Sequence, residues 1–318
     1  MISKCLDVYK NLNIQIENNS VALSPCCLFP IQPVDKIDFY ENHLLKSVRQ
    51  QWDQNIIPTP CQGCNRKDDS NRWYNDNGYD NTSIDLIRLD YWTGDTCNLR
   101  CAICNPNNSS AWKEELKIPS VERKNTINYA WKDLELSQLK FVHFNGGEPL
   151  LSKEHVIFLE AILDKSQVHL NYNTNGTILP SSKLLKLWSQ FKLVQLDFSI
   201  DDIGDRFEYQ RYPAKWHKVA ENLQWFIDNS PVNCMFAVNT TVSILNLSNL
   251  ENLNTWLKFN FYVNRVTDPI EHRQQSAFGL FAVNNLNKKS IVSFLNACDQ
   301  RRKTQWQKTF PELIDKLL

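Results

Sequence analysis

Residues 96–104 read TCNLRCAIC, and residues 141–150 read FVHFNGGEPL. The first stretch sets Cys97, Cys101 and Cys104 at spacings of four and three. Structural zinc sites and most iron–sulfur clusters take four protein ligands. Three clustered thiols therefore leave one ligand to come from elsewhere, or one metal position open. The second stretch is a short β-rich run that stops at two glycines. Glycine lets the backbone approach a ligand closely, so the end of this strand is a place for one.

Outward from these stretches the chain alternates short strand-like runs with amphipathic helical ones. The strand-like runs are 85–92, 141–145, 168–174, 194–200, 234–241 and 261–267. Helical patterns cover 152–165 and 215–229, with Ser152 expected to cap the first and Glu154 in its first turn. Trp216 and Trp225 fall on the second and read as packing residues. Such alternation predicts a parallel sheet with helices outside it. Six βα units predict an α/β fold of the partial (β/α)6 TIM-like barrel type. In α/β barrels the chemistry gathers at the C-terminal strand ends, and the unusual residues fall there. The cysteine triplet follows the first run, NGGEP (145–149) ends the second, NTNG (173–176) the third and SID (199–201) the fourth. Four of the eight glycines, Gly94, Gly146, Gly147 and Gly176, lie at or just past strand ends.

Residues 1–84 read differently. They hold the adjacent pair Cys26 and Cys27, the C-x2-C pair Cys61 and Cys64, a helix-like run at 39–54 and a polar tract at 58–81. Within that tract NRKDDSNR (65–72) reads as a solvated charged loop. A segment so poor in apolar periodicity gains from a bound metal, and these four cysteines supply enough ligands for one site. C-x2-C spacing suits zinc and iron–sulfur alike. Cys5, Cys234 and Cys298 stand alone and read as small hydrophobes, and His143 as a core or hydrogen-bonded histidine. The tail, 287–318, reads as helical. The expected organisation is a cysteine-rich segment (1–84), the partial barrel (85–267) and a C-terminal helical segment (268–318).

The chain has 318 residues, 42% hydrophobic and 22% charged, with zero formal net charge. That composition is ordinary for a globular protein, and its neutrality argues against nucleic acid or anionic lipid as the partner. No apolar run suggests a signal peptide or a membrane span. A cytoplasmic location is expected, where ten cysteines stay reduced and clustering points to metal.

A C-x3-C-x2-C after one strand followed by GGEP after the next resembles the radical S-adenosylmethionine (SAM) superfamily. The resemblance implies that Cys97, Cys101 and Cys104 hold a [4Fe–4S] cluster whose fourth iron takes the amino and carboxylate groups of SAM. Reductive cleavage of SAM then gives a 5′-deoxyadenosyl radical that abstracts hydrogen from a substrate. It further implies Ile103 near the adenine, and Gly146, Gly147 and Glu148 at the methionine ammonium, for which a carboxylate is a suitable partner. Ser199 and Asp201 are implied at the ribose or carboxylate. Asn173, Asn175 and Arg211 are further candidates; a turn is the alternative for the asparagines and an ion pair for the arginine. Residues 199–226 and 239–250 are also similar to radical SAM proteins with a twitch domain, a shortened SPASM extension that carries auxiliary iron–sulfur clusters. On that likeness Cys26, Cys27, Cys61 and Cys64 would hold an auxiliary cluster, with zinc as the alternative, although the usual extension follows the core and these cysteines precede it. The implied partners are a peptide or small-molecule substrate and an electron donor such as flavodoxin or ferredoxin. The competing classes are a radical SAM enzyme acting on a nucleoside or RNA base, and a non-enzymatic zinc protein. No catalytic acid, base or radical donor is identified.

Overall fold

Alternation of apolar and polar side chains builds the sheet. The structure, a computed structural model, describes residues 3–17, 20–64, 67–119, 130–261, 275–276 and 287–318. Its strands are β1 (Asn11–Glu17), β2 (Ser20–Ser24), β3 (Gln32–Val34), β4 (Arg88–Trp92), β5 (Phe141–Asn145), β6 (His169–Thr174), β7 (Leu193–Ser199) and β8 (Cys234–Asn239). On β4, β5 and β6 the alternate apolar residues Leu89, Tyr91, Val142, Phe144, Leu170 and Tyr172 are buried, as are the polar Asp90 and Asn171 between them. These apolar side chains share one face because successive strand residues point to opposite sides. The parallel register pairs Asp90 with His143, and His143 with Asn171, so a polar row occupies the other face. The strand order is β3-β2-β1-β4-β5-β6-β7-β8. β1 pairs parallel with β4, and the β1–β2 and β2–β3 pairs are antiparallel. This is the expected α/β class with an open, mostly parallel sheet.

The helices are α1 (Asp7–Lys10), α2 (His43–Asp53), α3 (Lys67–Asp76), α4 (Ser110–Glu115), α5 (Glu154–Ala161), α6 (Ser182–Trp188), α7 (Gly204–Gln210), α8 (Trp216–Asn229), α9 (Leu250–Phe261), α10 (Lys288–Arg302), α11 (Trp306–Thr309) and α12 (Ile314–Leu317). No helix among the described residues is long and apolar enough to cross a membrane.

Several local expectations are corrected. The tract 65–72 is not a loop where it is described, because Lys67–Asp76 is helical. Asn71 and Tyr74, three apart, bury one face of that helix, and Trp73 packs on Phe141 with ring centroids 5.8 Å apart. Tertiary contact here overrides a sequence of low hydrophobicity. Ser152 does not cap α5: Lys153 holds that position without a side-chain cap, and the Ser152 hydroxyl donates to Glu154 at 3.0 Å. Of the run 261–267, Phe261 closes α9 and the rest lies outside the described residues. The segment before residue 85 supplies three strands that were not foreseen.

The chain divides into two compact units. The first comprises Met1–Thr96, Pro119–Tyr172 and Lys186–Val194. Its core stacks Phe144 on Tyr172 at 4.7 Å, with His155 edge-on to both rings. The second comprises Cys97–Ile118, Asn173–Leu185 and Gln195–Leu318. There α10 and the helical turns after it bury Ile291, Leu295, Trp306 and Phe310 against Ala102 and Tyr209. Arg206 fastens this tail, pairing with Asp202 at 2.9 Å and Glu312 at 2.8 Å.

His155 makes the first unit sensitive to acid. It is 1% exposed, its Nδ1 lies 2.5 Å from the Ser152 carbonyl, and its Nε2 has no partner among the described residues. Burial pushes its pKa from 6.5 down to about 4. As pH falls through that window the unfolded chain takes a proton that the folded chain refuses, so stability falls, by about 3 kcal/mol in all. Denaturant melts from pH 7 to pH 4 are expected to show this loss, and His155→Phe to remove it. An unchanged slope in the variant would contradict the assignment.

Candidate metal centre

The loop carrying Cys97, Cys101 and Cys104 is held almost entirely through its backbone. The Arg100 and Ala102 N–H groups donate to the Tyr212 and Gln210 carbonyls at 2.6 and 2.7 Å. The Leu99 carbonyl accepts from Ser109 Oγ at 2.6 Å, the Cys101 carbonyl from Trp112 Nε1 at 3.0 Å and the Arg100 carbonyl from Arg302 at 3.1 Å. Ser109 does double duty: its hydroxyl also caps α4, accepting from the Trp112 N–H. Of the three thiols, that of Cys97 accepts from the Leu99 N–H at 3.4 Å and that of Cys104 lies 3.8 Å from the Asn105 carbonyl. Cys101 is buried, and Cys97 and Cys104 are half-buried. The three thiols lie close enough to act on one another electrostatically, and burial pushes those of Cys101 and Cys104 upward.

Asn175 reaches the same loop. Its Nδ2 donates to Asn98 Oδ1 at 3.0 Å and approaches Cys97 Sγ at 4.0 Å, while its Oδ1 accepts from the Thr177 N–H at 2.9 Å. The turn and the contact with the cysteine loop are thus both present. Asn173 is half-buried at the end of β6, and Ser199 half-buried at the end of β7.

Arg211 and Asp201 form a buried ion pair, with Nη2 to Oδ2 at 2.7 Å. Asp201 Oδ1 also accepts from the Thr241 N–H at 2.9 Å. Burial pushes the Asp201 carboxyl above its ordinary value against the pull of Arg211. The Arg211 charge in turn acts on the Cys101 and Cys104 thiols, and its Nε has no hydrogen-bond partner among the described residues. Ile103 packs against the C-terminal apolar cluster, so only its remaining exposed part is left for a ligand.

In the first unit the GGE turn is stitched to residues 93–96. Gly147 N–H donates to the Gly94 carbonyl at 2.6 Å and Glu148 N–H to the Thr96 carbonyl at 2.8 Å. Gly146 has φ +128°, a conformation that favours glycine. A Cβ on Gly147 would land on the backbone of Asp95 and Thr96. Close packing of backbone on backbone is the reason both positions are glycine. Glu148 is buried, and its Oε1 accepts from the Leu150 N–H at 3.1 Å.

The polar face of this unit carries Asn11, Asp90, His143 and Asn145. Asp90 accepts from Asn11 at 3.1 Å and lies 3.3 Å from His143 Nδ1, which is 3.1 Å from Asn145 Nδ2. His143 is therefore the hydrogen-bonded histidine expected. Asp90 was missed, although its place inside the apolar run RLDYW marked it. Nearby, Cys26, Cys27, Cys61 and Cys64 line one cavity of about 180 Å³. Cys5 lines it too and packs on the apolar cluster of Val8, Phe29 and Trp52; Cys234 and Cys298 are buried as expected.

Among the described residues no three His, Cys, Asp or Glu side chains converge on one ion. A cube of iron and sulfide is larger than an ion, and thiolates that hold it stand further apart. The second unit fits such a group: three thiols on one fixed loop, a buried guanidinium whose charge reaches two of them and an unsatisfied donor on that guanidinium.

A family model for the radical SAM superfamily matches residues 93–253, half of the chain. The protein belongs to that superfamily of enzymes, whose cofactors are a [4Fe–4S] cluster and SAM. Among curated relatives, a GTP 3′,8-cyclase of Aliarcobacter butzleri (strain RM4018) is 29% identical over 127 residues, 38% of this chain and 36% of that one. A GTP 3′,8-cyclase of Campylobacter jejuni (strain RM1221) is 31% identical over 112 residues, 35% of this chain and 33% of that one. The chain thus spans about a third of the length of these relatives. Among solved structures, Streptococcus suis SuiB bound to S-adenosylmethionine aligns with 95% of this chain and 71% of its own at 12% identity. Its TM-score of 0.43 is too low to establish more.

Proposed function

We propose that this chain cleaves SAM reductively and passes the resulting hydrogen-abstracting chemistry to a neutral, hydrogen-bonding substrate, a peptide segment first among them. Cys97, Cys101 and Cys104 would ligate the cluster. Gly146, Gly147 and Glu148 would receive the methionine ammonium, and Ser199, Asn173 and Asn175 the polar groups of SAM, with Asp201 behind them, held by Arg211. When bound, the cluster supplies the electron that breaks the sulfonium C–S bond; the protein's share is to hold, orient and shield. Arg211 offers positive charge beside two of the thiols, which favours an anionic thiolate-bound group there.

The observation that carries the substrate class is the polar row Asn11, Asp90, His143 and Asn145. Asn11 and Asp90 are buried and bonded to each other, and His143 and Asn145 are the half-buried members; an imidazole and an amide exchange hydrogen bonds with peptide groups and are a poor cradle for a triphosphate, which calls for clustered cations. The names of the curated relatives favour a second reading, a guanine nucleotide. The reading carries with it a cytoplasmic location and an electron donor such as flavodoxin or ferredoxin.

Reduced, reconstituted protein is to be given SAM with either GTP or a peptide fraction of its own cells, and 5′-deoxyadenosine followed by chromatography. The peptide fraction is expected to raise the rate and GTP to leave it unchanged. A rate raised by GTP alone would decide for the nucleotide.

A further inference from the structure

We infer that Arg302, at the end of α10, is a positioning residue for the cysteine loop: its guanidinium fixes the backbone around Cys101. This rests on the proposal that Cys97, Cys101 and Cys104 ligate the cluster. It adds to that site a side chain 202 residues from Arg100 in the chain.

Residues 99–101 belong to no helix or strand, so their course is set by what they are bonded to. Arg302 Nη2 donates to the Arg100 carbonyl at 3.1 Å. The same guanidinium lies over the Trp112 ring, 4.8 Å from its centroid, and the Trp112 indole N–H donates to the Cys101 carbonyl at 3.0 Å. The Tyr212 ring lies equally close to it, at 4.8 Å, and the Tyr212 carbonyl accepts from the Arg100 N–H at 2.6 Å. Three of the bonds that hold Arg100 and Cys101 thus come from groups that meet on one side chain.

The guanidinium is itself held. Its side chain is 2% exposed, and Glu115 takes it side-on, Nε to Oε2 at 3.3 Å and Nη2 to Oε1 at 3.4 Å. Glu115 also accepts from Arg301 Nε at 2.7 Å. α10 reaches this point with Ile291 and Leu295 buried in the apolar cluster. One turn before Arg302, Asp299 accepts from the Tyr209 and Thr304 hydroxyls and the Trp306 N–H at 3.0, 2.7 and 2.8 Å. A planar fork binds a carboxylate side-on, lies on aromatic rings and donates to a carbonyl at once. A lysine ammonium, a point charge on a flexible stem, holds only part of that set.

The test labels the full chain, free of metal, with iodoacetamide under anaerobic conditions. Mass spectrometry compares Cys101 with Cys234, a thiol buried on β8 of the same unit. Arg302→Ala is expected to speed labelling of Cys101 about tenfold and to leave Cys234 unchanged, because a local opening exposes one and not the other. Arg302→Lys is expected to behave like Arg302→Ala. The inference fails if Cys101 labelling is unchanged in Arg302→Ala, or if lysine protects Cys101 as well as arginine does. It fails equally if Cys101 and Cys234 rise together, which marks general destabilisation. Should Arg302→Ala not fold, Glu115→Gln carries the same test, with an expected gain of about threefold at Cys101; no gain would overturn the inference. In reconstituted protein, the EPR signal of the reduced cluster that responds to SAM is followed in the presence of a chelator. Arg302→Ala is expected to lose that signal about threefold faster than wild type, and equal rates would count against the positioning role. Wild-type protein with no SAM-responsive signal would instead sink the cluster reading, while the labelling still decides whether Arg302 holds the loop.

Discussion

Replacing Cys101 with alanine is expected to abolish SAM cleavage and to remove about four of about eight irons from the fully loaded protein, those of one [4Fe–4S] cluster. Cys101 is the buried thiol of the three, set between backbone anchors on either side. Its own carbonyl accepts from the Cys104 N–H and from Trp112, both at 3.0 Å. None of these bonds uses the thiol, so alanine leaves the loop in place and removes only a ligand. Burial pushes the free thiol upward, so metal binding must drive off its proton, and a site left with two ligands has less affinity to spend on doing so. Iron analysis and 5′-deoxyadenosine chromatography check the variant. Wild-type cleavage by Cys101→Ala would show that the cluster is held elsewhere.

Arg211→Ala is expected to cost about 3–5 kcal/mol of folding stability, because it leaves a buried carboxylate without its cation. Asp201 is 1% exposed and 2.7 Å from the guanidinium. With Arg211 gone, nothing on that side opposes the burial that already raises the Asp201 carboxyl. A folded-state pKa above the unfolded value gives stability that is present at low pH and lost as pH rises through the folded value. The variant is therefore expected to be weakest at neutral pH and to recover in acid, and Asp201→Asn on top of it to restore part of the loss. Denaturant melts of the anaerobic apoprotein measure both. A cost below about 1 kcal/mol, the range of exposed pairs, would mean that the pair contributes little to the fold. The unsatisfied Nε then becomes the part of Arg211 that matters.

What could be read from the sequence follows from how local each signal is. FVHFN and HLNYNT declare themselves because apolar and polar residues alternate within five or six positions, and β5 and β6 form there. The cysteine triplet and the GGE turn are equally local as sequence signals, although the fold anchors the first on the Gln210 and Tyr212 carbonyls and the second on those of Gly94 and Thr96. The rest depends on distant partners. NRKDDSNRWYND carries too few apolar residues to announce a helix, yet Lys67–Asp76 is one. Asn71 is held by the Leu6 N–H at 2.8 Å and Tyr74 by Asp7 at 3.0 Å, contacts 65 or more residues away in the chain. Cys5 is the sharpest case. Nothing within 20 residues of it is a cysteine, and only the β1–β2 pairing brings it to Cys26. Asp201 and Arg211 were legible as a pair of candidates, but only the fold shows that they are spent largely on each other.

The loop 97–104 is expected to support reductive cleavage of SAM. The most direct test is to reduce anaerobically reconstituted wild-type protein with dithionite, add SAM and look for 5′-deoxyadenosine by mass spectrometry. The nucleoside is expected in amounts that grow with time and vanish when reductant is withheld. Protein with intact cluster absorbance that forms none, with or without peptide or GTP present, would contradict the account.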